Sequence, residues 1–212
     1  MPAPDCLPRS FYARETLTVA RELLGMHVVH RDATHLRIGR IVETEAYKGP
    51  LDLAAHSAKG RTARTEVMFG PPGHAYVYLI YGMWNCLNVV AAAAGIPHAV
   101  LIRALEPVAQ LDSATHGPGL LCRAMNIDRT LNGANLQGPK LWIERPRDFR
   151  SAKVVRATRI GVDYAGSWAK KPWRFYDAHS PYVSTVSAAA RKRALGASAL
   201  GSAAKKPTKP RL

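Results

Sequence analysis

Hydrophobic residues recur at helical spacing near the N-terminus of the chain. Leu17, Ala20 and Leu24 lie three or four positions apart, which predicts one face of an amphipathic helix. Thr16 suits the capping position at the start of this helix. Gly25 suits the left-handed backbone conformation that often follows a helix end. The pattern therefore predicts a helix from Thr16 to Leu24.

Runs rich in β-branched and aromatic residues follow along most of the remaining chain. The clearest signal is a hairpin, in which residues 75–81 (AYVYLIY) and 84–92 (WNCLNVVAA) are separated by Gly82 and Met83. A second helix is predicted to begin at Pro118, because proline is favoured in the first helical turn. The further predicted strands are 27–30, 37–47, 99–105 (ending before Pro107), 141–144, 153–162 and 182–186.

The remaining segments have no regular hydrophobic pattern. Residues 48–73 are rich in glycine and proline, and a loop of that length in a folded domain is usually functional. Residues 187–212 lack aromatic side chains and are predicted to form a basic flexible tail. Residues 1–9 hold three prolines and are predicted to be a loose lead-in. The patterns together predict a mixed α+β fold, with one domain over residues 10–186.

Composition excludes several classes of protein. Hydrophobic residues make up 47% of the chain and charged residues 21%, which excludes a wholly disordered or collagen-like chain. No apolar run approaches the roughly 20 residues that span a bilayer, and no secretory signal is visible. The widely spaced Cys6, Cys86 and Cys122 match neither a disulfide framework nor a zinc site. These features predict a reduced intracellular protein, cytoplasmic and nucleoid-associated in a bacterium.

The charge balance indicates the kind of partner. Lys and Arg number 30 against 15 Asp and Glu, which gives a net charge of +15. The tail holds seven of these charges, so residues 1–178 still have a charge of +8. A folded body this basic favours a polyanionic partner such as nucleic acid. The alternative is that the charge serves solubility alone.

Two carboxylates and a phenol form the first candidate constellation. Glu43, Glu45 and Tyr47 face the same way on a strand, because side chains alternate with a period of two. They could provide a general base beside a stacking ring. The spacing alone favours the alternative, an exposed strand face with solvated acids.

Aromatic side chains crowd the predicted hairpin. Tyr76 and Tyr78 share a face, whereas Tyr81 lies on the other face beside the tip, close to Trp84. A ring at a hairpin tip could wedge between base pairs, and rings on a strand face could stack on an extruded base. The alternative is core packing, which strand propensity favours for Tyr76.

Isolated polar residues complete the candidates. His56 lies in the long loop, where a lone histidine is usually a surface residue. Arg103 lies inside an apolar strand and needs a partner, for which Glu45 or Glu106 could serve. The loop also holds cations that could contact phosphates or simply be solvated, and the charge of the body favours phosphate contacts: Lys48, Lys59, Arg61 and Arg64.

Four ordered segments resemble the alkyladenine (3-methyladenine) DNA glycosylase family in its bacterial form. They are IVETEAYKGPLDLAAHS (41–57), MFGPPGHAYVYLIYGMWNCLNVV (68–90), LIRALEP (101–107) and KKPWRFY (170–176). The resemblance extends from about residue 8 to residue 186. It implies one α+β domain with a curved, largely antiparallel sheet, flanking helices and a protruding β-hairpin that inserts into DNA. It also implies a monomer that acts on duplex DNA containing a damaged purine and needs no metal or other cofactor.

The resemblance further implies roles for individual residues. Glu45 corresponds to the general base that deprotonates a water, and Arg103 to an arginine that helps to position this water. Other residues correspond to the pocket for the flipped base: Tyr47, His56 and Tyr78 as its walls, and Asn88 as the side chain that disfavours guanine. Because no lysine occupies the positions of Glu45, His56 or Arg103, we expect a water nucleophile and no lyase activity.

The hairpin tip is implied to enter the DNA. Tyr81 corresponds to the ring that fills the space vacated by the base, with Met83 and Trp84 beside it. Leu120, Thr65 and Trp84 depart from residues common in the family, and Leu120 stands where a lysine is frequent. These departures bear on lesion range and DNA affinity rather than on the reaction class.

Two other classes of protein remain as alternatives. The first is a nucleic-acid-binding module that keeps the fold without the chemistry. The presence of all the site residues together argues against this reading. The second is a base-flipping deaminase, which needs a zinc site with paired cysteines. Cys86 and Cys122 are too far apart in sequence for that motif.

Overall fold

The computed structural model describes residues 5–184, and most of its regular structure is a single eight-stranded β-sheet. All pairings between strands are antiparallel, and the strands form one curved sheet with a few helices against it, an α+β domain. The helices are α1 (Arg9–Tyr12), α2 (Thr16–Glu22) and α3 (Pro118–Met125). The strands are β1 (His27–Arg31), β2 (Leu36–Lys48), β3 (Ala75–Ile80), β4 (Trp84–Ala91), β5 (His98–Ala109), β6 (Leu141–Glu144), β7 (Val154–Ala157) and β8 (Arg174–Asp177). Short 3-10 segments cover His56–Lys59, Glu66–Phe69, Arg129–Leu131 and Asp163–Lys170.

The order of the strands places the middle of β2 at the centre of the sheet. The main path runs β3-β4-β5-β2-β1-β6, and β8 pairs with β2 and with β7. β1 pairs with β2 only as far as Arg40, and β8 then takes its place beside Glu43–Glu45. β5 covers the other edge of the same segment. The two acids of β2 are therefore enclosed by strands on both sides.

The core lies between the sheet and the helices. Ile41, Val100 and Ile102 from the central strands pack with Leu23, the residue that ends α2, and with Leu121 of α3, and all five are fully buried. Burying a side chain of this size contributes about 1.5–3 kcal/mol to folding. This packing holds both helices against the central strands.

The hairpin prediction is confirmed, with a turn one residue longer than expected. Ile80 pairs with Trp84, and the Met83 amide donates to the Ile80 carbonyl. Tyr81 and Gly82 both have positive φ angles, 53° and 71°. Tyr81 therefore belongs to the turn and not to β3.

Other local predictions need correction. Glu15, not Thr16, caps α2, because its carboxylate accepts from the Thr18 amide at 2.9 Å. β5 continues through Pro107, which pairs with Gly39 beside an irregularity in the register. The strand predicted at 153–162 is limited to β7, and residues 182–184 form a turn and a bend instead of a strand.

The predicted boundaries of the domain are also revised. The prediction of a loose N-terminal segment is wrong for its last residues. Cys6 forms an isolated antiparallel β-bridge with Glu144, and Leu7 is buried, with its amide donating to the Ile143 carbonyl. β8 was not expected from the sequence. Residues 1–4, the predicted tail 187–212 and the two preceding positions lie outside the described residues. No helix among residues 5–184 is long and apolar enough to cross a membrane.

Candidate active site

A cavity of about 520 Å³ opens at one end of the sheet. The ends of β2 and β5, the β3–β4 hairpin, the start of α3 and residues 160–164 line it. Tyr47, His56, Tyr78, Asn88 and Arg103, which the sequence analysis proposed as site residues, all contribute to its wall. The structure therefore brings together residues that are up to 56 positions apart in the chain.

Glu45 lies directly behind this wall and is fully buried. Its Oε2 accepts from the Tyr47 hydroxyl at 2.8 Å and from Arg103 Nη1 at 3.2 Å. Its Oε1 accepts from the Ile160 amide at 2.8 Å. Burial raises the pKa of Glu45, while Arg103 and the two other donors oppose this rise. A carboxylate has about four lone-pair positions, so one on Oε1 is left for a further donor.

Glu43 is the second fully buried carboxylate of the site. It accepts from Arg103 Nε at 3.3 Å, from Arg174 Nη1 at 2.9 Å and from the Ser184 amide at 2.7 Å. Arg103 therefore bridges Glu43 and Glu45, and these two acids raise its pKa even though burial opposes its charge. The expectation of a solvated acidic face is wrong.

The question of the partner of Arg103 is thereby answered. Of the two candidates, Glu45 pairs with it, whereas Glu106 pairs with Arg40. Glu43, Glu45 and Tyr47 lie on one face as predicted, despite an irregularity in the register of β2 beside Glu43.

His56, Tyr76 and Tyr78 form an aromatic wall of the cavity. The rings of His56 and Tyr78 meet edge to face at 4.5 Å, and those of Tyr76 and Tyr78 lie 5.4 Å apart. His56 Nδ1 lies 3.0 Å from the Tyr76 hydroxyl. Burial, with help from the charges of Arg64 and Lys59, lowers the pKa of His56 to about 4, so the ring is neutral at pH 7.

These positions resolve two alternatives. The expectation that His56 is a surface residue is wrong, since its ring packs on the tyrosines and lines the cavity. Tyr76 is almost fully buried, as its core-packing interpretation predicts. Asn88 is buried beside it and donates from Nδ2 to the carbonyls of Tyr76 and Cys86 at 3.1 and 3.4 Å.

The tip of the hairpin projects from the rim of the cavity. Tyr81 is 84% exposed and Met83 68% exposed. Trp84 behaves differently, because it is half-buried against Gly119 at the start of α3, with the Arg123 guanidinium 5.3 Å from its ring. Tyr81 and Met83 thus present apolar surface to solvent, whereas Trp84 contacts α3.

The four loop cations lie in different surroundings. Lys48 pairs with Glu15 at 2.8 Å and Arg61 with Glu66 at 3.4 Å. Lys59 is exposed. Arg64 is also exposed, and its guanidinium lies 5.2 Å from the centre of the Tyr78 ring. The structure therefore places Arg64 beside the cavity wall and Lys59 and Arg61 elsewhere on the loop. Lys48, which was predicted to lie in the loop, is instead the half-buried last residue of β2.

Several residues that build the site were missed by the sequence analysis. Arg159 is buried and donates to Asp52, and its guanidinium lies 4.8 Å from the Tyr47 ring. Ile160 supplies the amide that binds Glu45, and Tyr164 stands exposed at the rim. No pattern in the sequence marks these positions, because each acts through a partner about 100 residues away.

The departures from the expected family residues occupy defined places. Leu120 is half-buried at the start of α3 and lines the cavity. Thr65 is buried and donates to the Gly60 carbonyl at 3.0 Å, which stabilises the loop before the hairpin. No group of three or more potential metal ligands occurs among the His, Cys, Asp and Glu side chains of residues 5–184.

The fold and site together define a class of protein: an α+β domain with a buried carboxylate–arginine cluster behind an aromatic cavity. The family model for methylpurine-DNA glycosylase (MPG) matches residues 10–181. A protein of Legionella pneumophila named "Putative 3-methyladenine DNA glycosylase" is 53% identical over 178 residues, which cover 84% of this chain and 97% of the relative. Proteins of the same name from Myxococcus xanthus and an Anaeromyxobacter species are each 54% identical over 84% of this chain and 93% and 92% of their own lengths. The chain belongs to the methylpurine-DNA glycosylase family.

Proposed function

We propose that the chain is a monofunctional DNA glycosylase of base excision repair. It takes alkylated or deaminated purines of the 3-methyladenine, hypoxanthine and ethenoadenine class out of duplex DNA and hydrolyses their N-glycosidic bonds. The observation that supports this most directly is the buried Glu45 carboxylate, held by Arg103 and Tyr47 behind an aromatic cavity. The membership of the family and the names of its relatives support the same reaction.

Glu45 is proposed as the general base. The free lone pair on its Oε1 accepts a proton from water, and the hydroxyl oxygen attacks the anomeric carbon of the sugar. The electron pair of the broken bond leaves with the base. The carboxylate also stabilises positive charge that develops on the sugar. Arg103 orients Glu45 and the water. Because no lysine occupies the positions of Glu45, His56 or Arg103, we expect no Schiff base and no lyase activity.

The cavity is proposed to hold the extruded purine. Tyr47, Tyr78 and His56 provide ring surfaces for a planar base, and the neutral His56 adds no charge beside a cationic lesion. Asn88, with its amide group held by two carbonyls, is proposed to crowd the exocyclic amine of guanine. Damaged purines pair poorly and are extruded more easily, which adds selectivity before the base is bound.

The exposed hairpin tip is proposed to replace the extruded base in the stack. The exposure of Tyr81 and Met83 supports their proposed entry into the duplex, and the packing of Trp84 against Gly119 supports an indirect role for Trp84 through α3. We expect Tyr81→Ala to reduce excision from duplex DNA by more than excision from single strands, because only a duplex has a stack to refill. Single-turnover rates on matched duplex and single-stranded substrates measure this, and equal losses would refute the insertion role.

Duplex DNA is the proposed partner of the basic surface. Lys48, Lys59, Arg61 and Arg64 are proposed to contact its backbone, which predicts binding that weakens as salt is raised. We further propose that the protein acts as a monomer in the cytoplasm, associated with the nucleoid in a bacterium.

The decisive test compares the wild-type chain with Glu45→Gln. Single-turnover excision is measured on duplexes that contain hypoxanthine, ethenoadenine or a methylated purine, with DNA binding measured in parallel. We expect the wild-type protein to release the base, and Glu45→Gln to bind DNA while losing release. Undiminished release by the variant would refute the role of Glu45 and point to Glu43. Tight DNA binding without release from any lesion would favour the alternative of a catalytically inactive binding module.

A further inference from the structure

Two arginines lie beside two tyrosines of the cavity wall. The Arg159 guanidinium lies 4.8 Å from the centre of the Tyr47 ring, and that of Arg64 lies 5.2 Å from the centre of the Tyr78 ring. Both tyrosines line the cavity, and neither arginine does. Each guanidinium is therefore close to the wall of the space proposed for the base without lining that space itself.

The two charges differ in how far they are neutralised. Arg159 is buried and forms a bidentate pair with the fully buried Asp52. No carboxylate of residues 5–184 forms an ion pair with Arg64. After burial, its charge is the next largest cause of the lowered pKa of His56, and it opposes the rise that burial causes in the pKa of Tyr76. The field of Arg64 thus reaches the aromatic wall without a local counter-charge, whereas that of Arg159 is cancelled nearby.

The proposed reaction changes the charge of the base beside this wall. When the N-glycosidic bond breaks, its electron pair passes to the leaving base. A neutral lesion such as hypoxanthine becomes negative, whereas a cationic lesion such as 7-methylguanine becomes neutral. A positive charge nearby therefore stabilises the transition state of the neutral lesion, because charge develops where the field is favourable.

We propose that Arg64 is a specificity-determining residue that favours excision of neutral damaged purines by stabilising the negative charge on the departing base. This inference rests on the proposed function. For a cationic lesion the positive charge of Arg64 weakens binding of the substrate and accelerates cleavage of its bond. These two effects cancel in the ratio of the single-turnover rate constant to the half-saturating concentration, because the base is close to neutral in the transition state. For a neutral lesion only the acceleration remains.

The distance sets the size of the effect. A base stacked on Tyr78 at a ring separation of about 4.5 Å lies at most about 10 Å from the Arg64 guanidinium, which is 5.2 Å from the centre of this ring. At effective dielectric constants of about 20–80, a unit charge at this distance changes a rate by about 2- to 15-fold. Because Arg64 is exposed, we expect a value in the lower part of this range.

The test measures single-turnover excision of hypoxanthine and of 7-methylguanine by wild-type protein, Arg64→Gln and Arg64→Lys. Arg61→Gln is the matched control, because Arg61 is an exposed cation of the same loop that lies over Phe69 and pairs with Glu66. We expect Arg64→Gln to lower the ratio of rate to half-saturating concentration more on hypoxanthine than on 7-methylguanine, by a factor in the lower part of the range of about 2- to 15-fold. The loss of a DNA-backbone contact lowers this ratio equally on both lesions and does not change the preference. Arg64→Lys should retain most of the preference, and Arg61→Gln all of it.

Two results would overturn the inference. Equal losses on both lesions would show that Arg64 acts only as a general DNA contact, and the absence of a loss on either lesion would show that its charge does not act on the base. If the wild-type chain releases neither lesion, the proposed function itself fails, and this outcome is separate from the other two. Far-ultraviolet circular dichroism checks that each variant is folded.

Discussion

The buried pair of Arg159 and Asp52 provides the sharpest prediction about stability. Asp52 is fully buried and Arg159 is 4% exposed. Besides the bidentate pair, Arg159 donates to the carbonyls of Ala46 at 2.9 Å and Trp168 at 3.0 Å. The pair thus connects β2, the loop after it and the 3-10 segment that follows Arg159. Removing the Asp52 charge would leave a guanidinium buried without its partner.

We expect Asp52→Asn to lower the free energy of unfolding by about 3–5 kcal/mol, the usual cost of breaking a buried ion pair from one side. Such a loss is a large part of the free energy of unfolding of a typical domain, which is about 5–15 kcal/mol. Asparagine keeps the shape of the side chain, so no cavity forms. It replaces one of two acceptor oxygens by an amide donor, so the loss reports the charge together with the hydrogen bonds of that oxygen. The double variant Asp52→Asn with Arg159→Met should recover part of the stability, because no buried charge is then left unpaired.

Urea unfolding followed by tryptophan fluorescence measures this free energy. The control is Glu66→Gln, because Glu66 and Arg61 form an ion pair whose side chains are 59% and 57% exposed. Such a surface pair is worth about 0–1 kcal/mol. If Asp52→Asn is no more destabilising than Glu66→Gln, the buried pair does not stabilise the fold as argued.

Two further variants test the hydrogen bonds and packing around the site. We expect Tyr47→Phe to move the acidic limb of the pH profile of the excision rate to higher pH. Burial raises the pKa of Glu45 and the Tyr47 hydroxyl opposes this rise, so removing the hydroxyl raises the pKa further. A limb that stays in place or moves to lower pH would contradict this. We expect Gly119→Ala to cost about 1–3 kcal/mol in urea unfolding, because its methyl group would lie 2.8 Å from Trp84 Cε3. Gly117→Ala is the control, since its methyl group meets nothing closer than 3.7 Å, and equal effects would refute the clash.

The features that the sequence predicts best are those with local causes. The hairpin follows from alternating β-rich runs around Gly82, and the start of α3 follows from Pro118. The errors also have local explanations. Pro107 remains inside β5 because an irregularity in the register lets a residue without an amide hydrogen pair with Gly39. Glu15 caps α2 in preference to Thr16, because Thr16 is already the first helical residue and its hydroxyl lies 2.8 Å from His98 Nδ1.

The burial of Glu43 and Glu45 could not be predicted from their own strand. An acidic alternation such as VETEA is typical of a strand with one face in water, and only the topology excludes this. β8 takes the place of β1 beside Glu43–Glu45 of β2, and it brings Arg174 to Glu43. The neutralising charges thus come from residues 60 and 131 positions away from Glu43, so no window of the sequence contains both sides of the cluster.

This long-range construction explains why the proposed base and the fold depend on the same contacts. Glu45 is held by its own strand through Tyr47, by β5 through Arg103 and by the segment after β7 through Ile160. With fewer donors, burial would raise the pKa of this carboxylate further and disfavour the ionised form that accepts a proton from water. The three donors therefore oppose protonation of the group and fix its direction at once. Because they come from separate parts of the chain, this arrangement forms only when the sheet closes around β2.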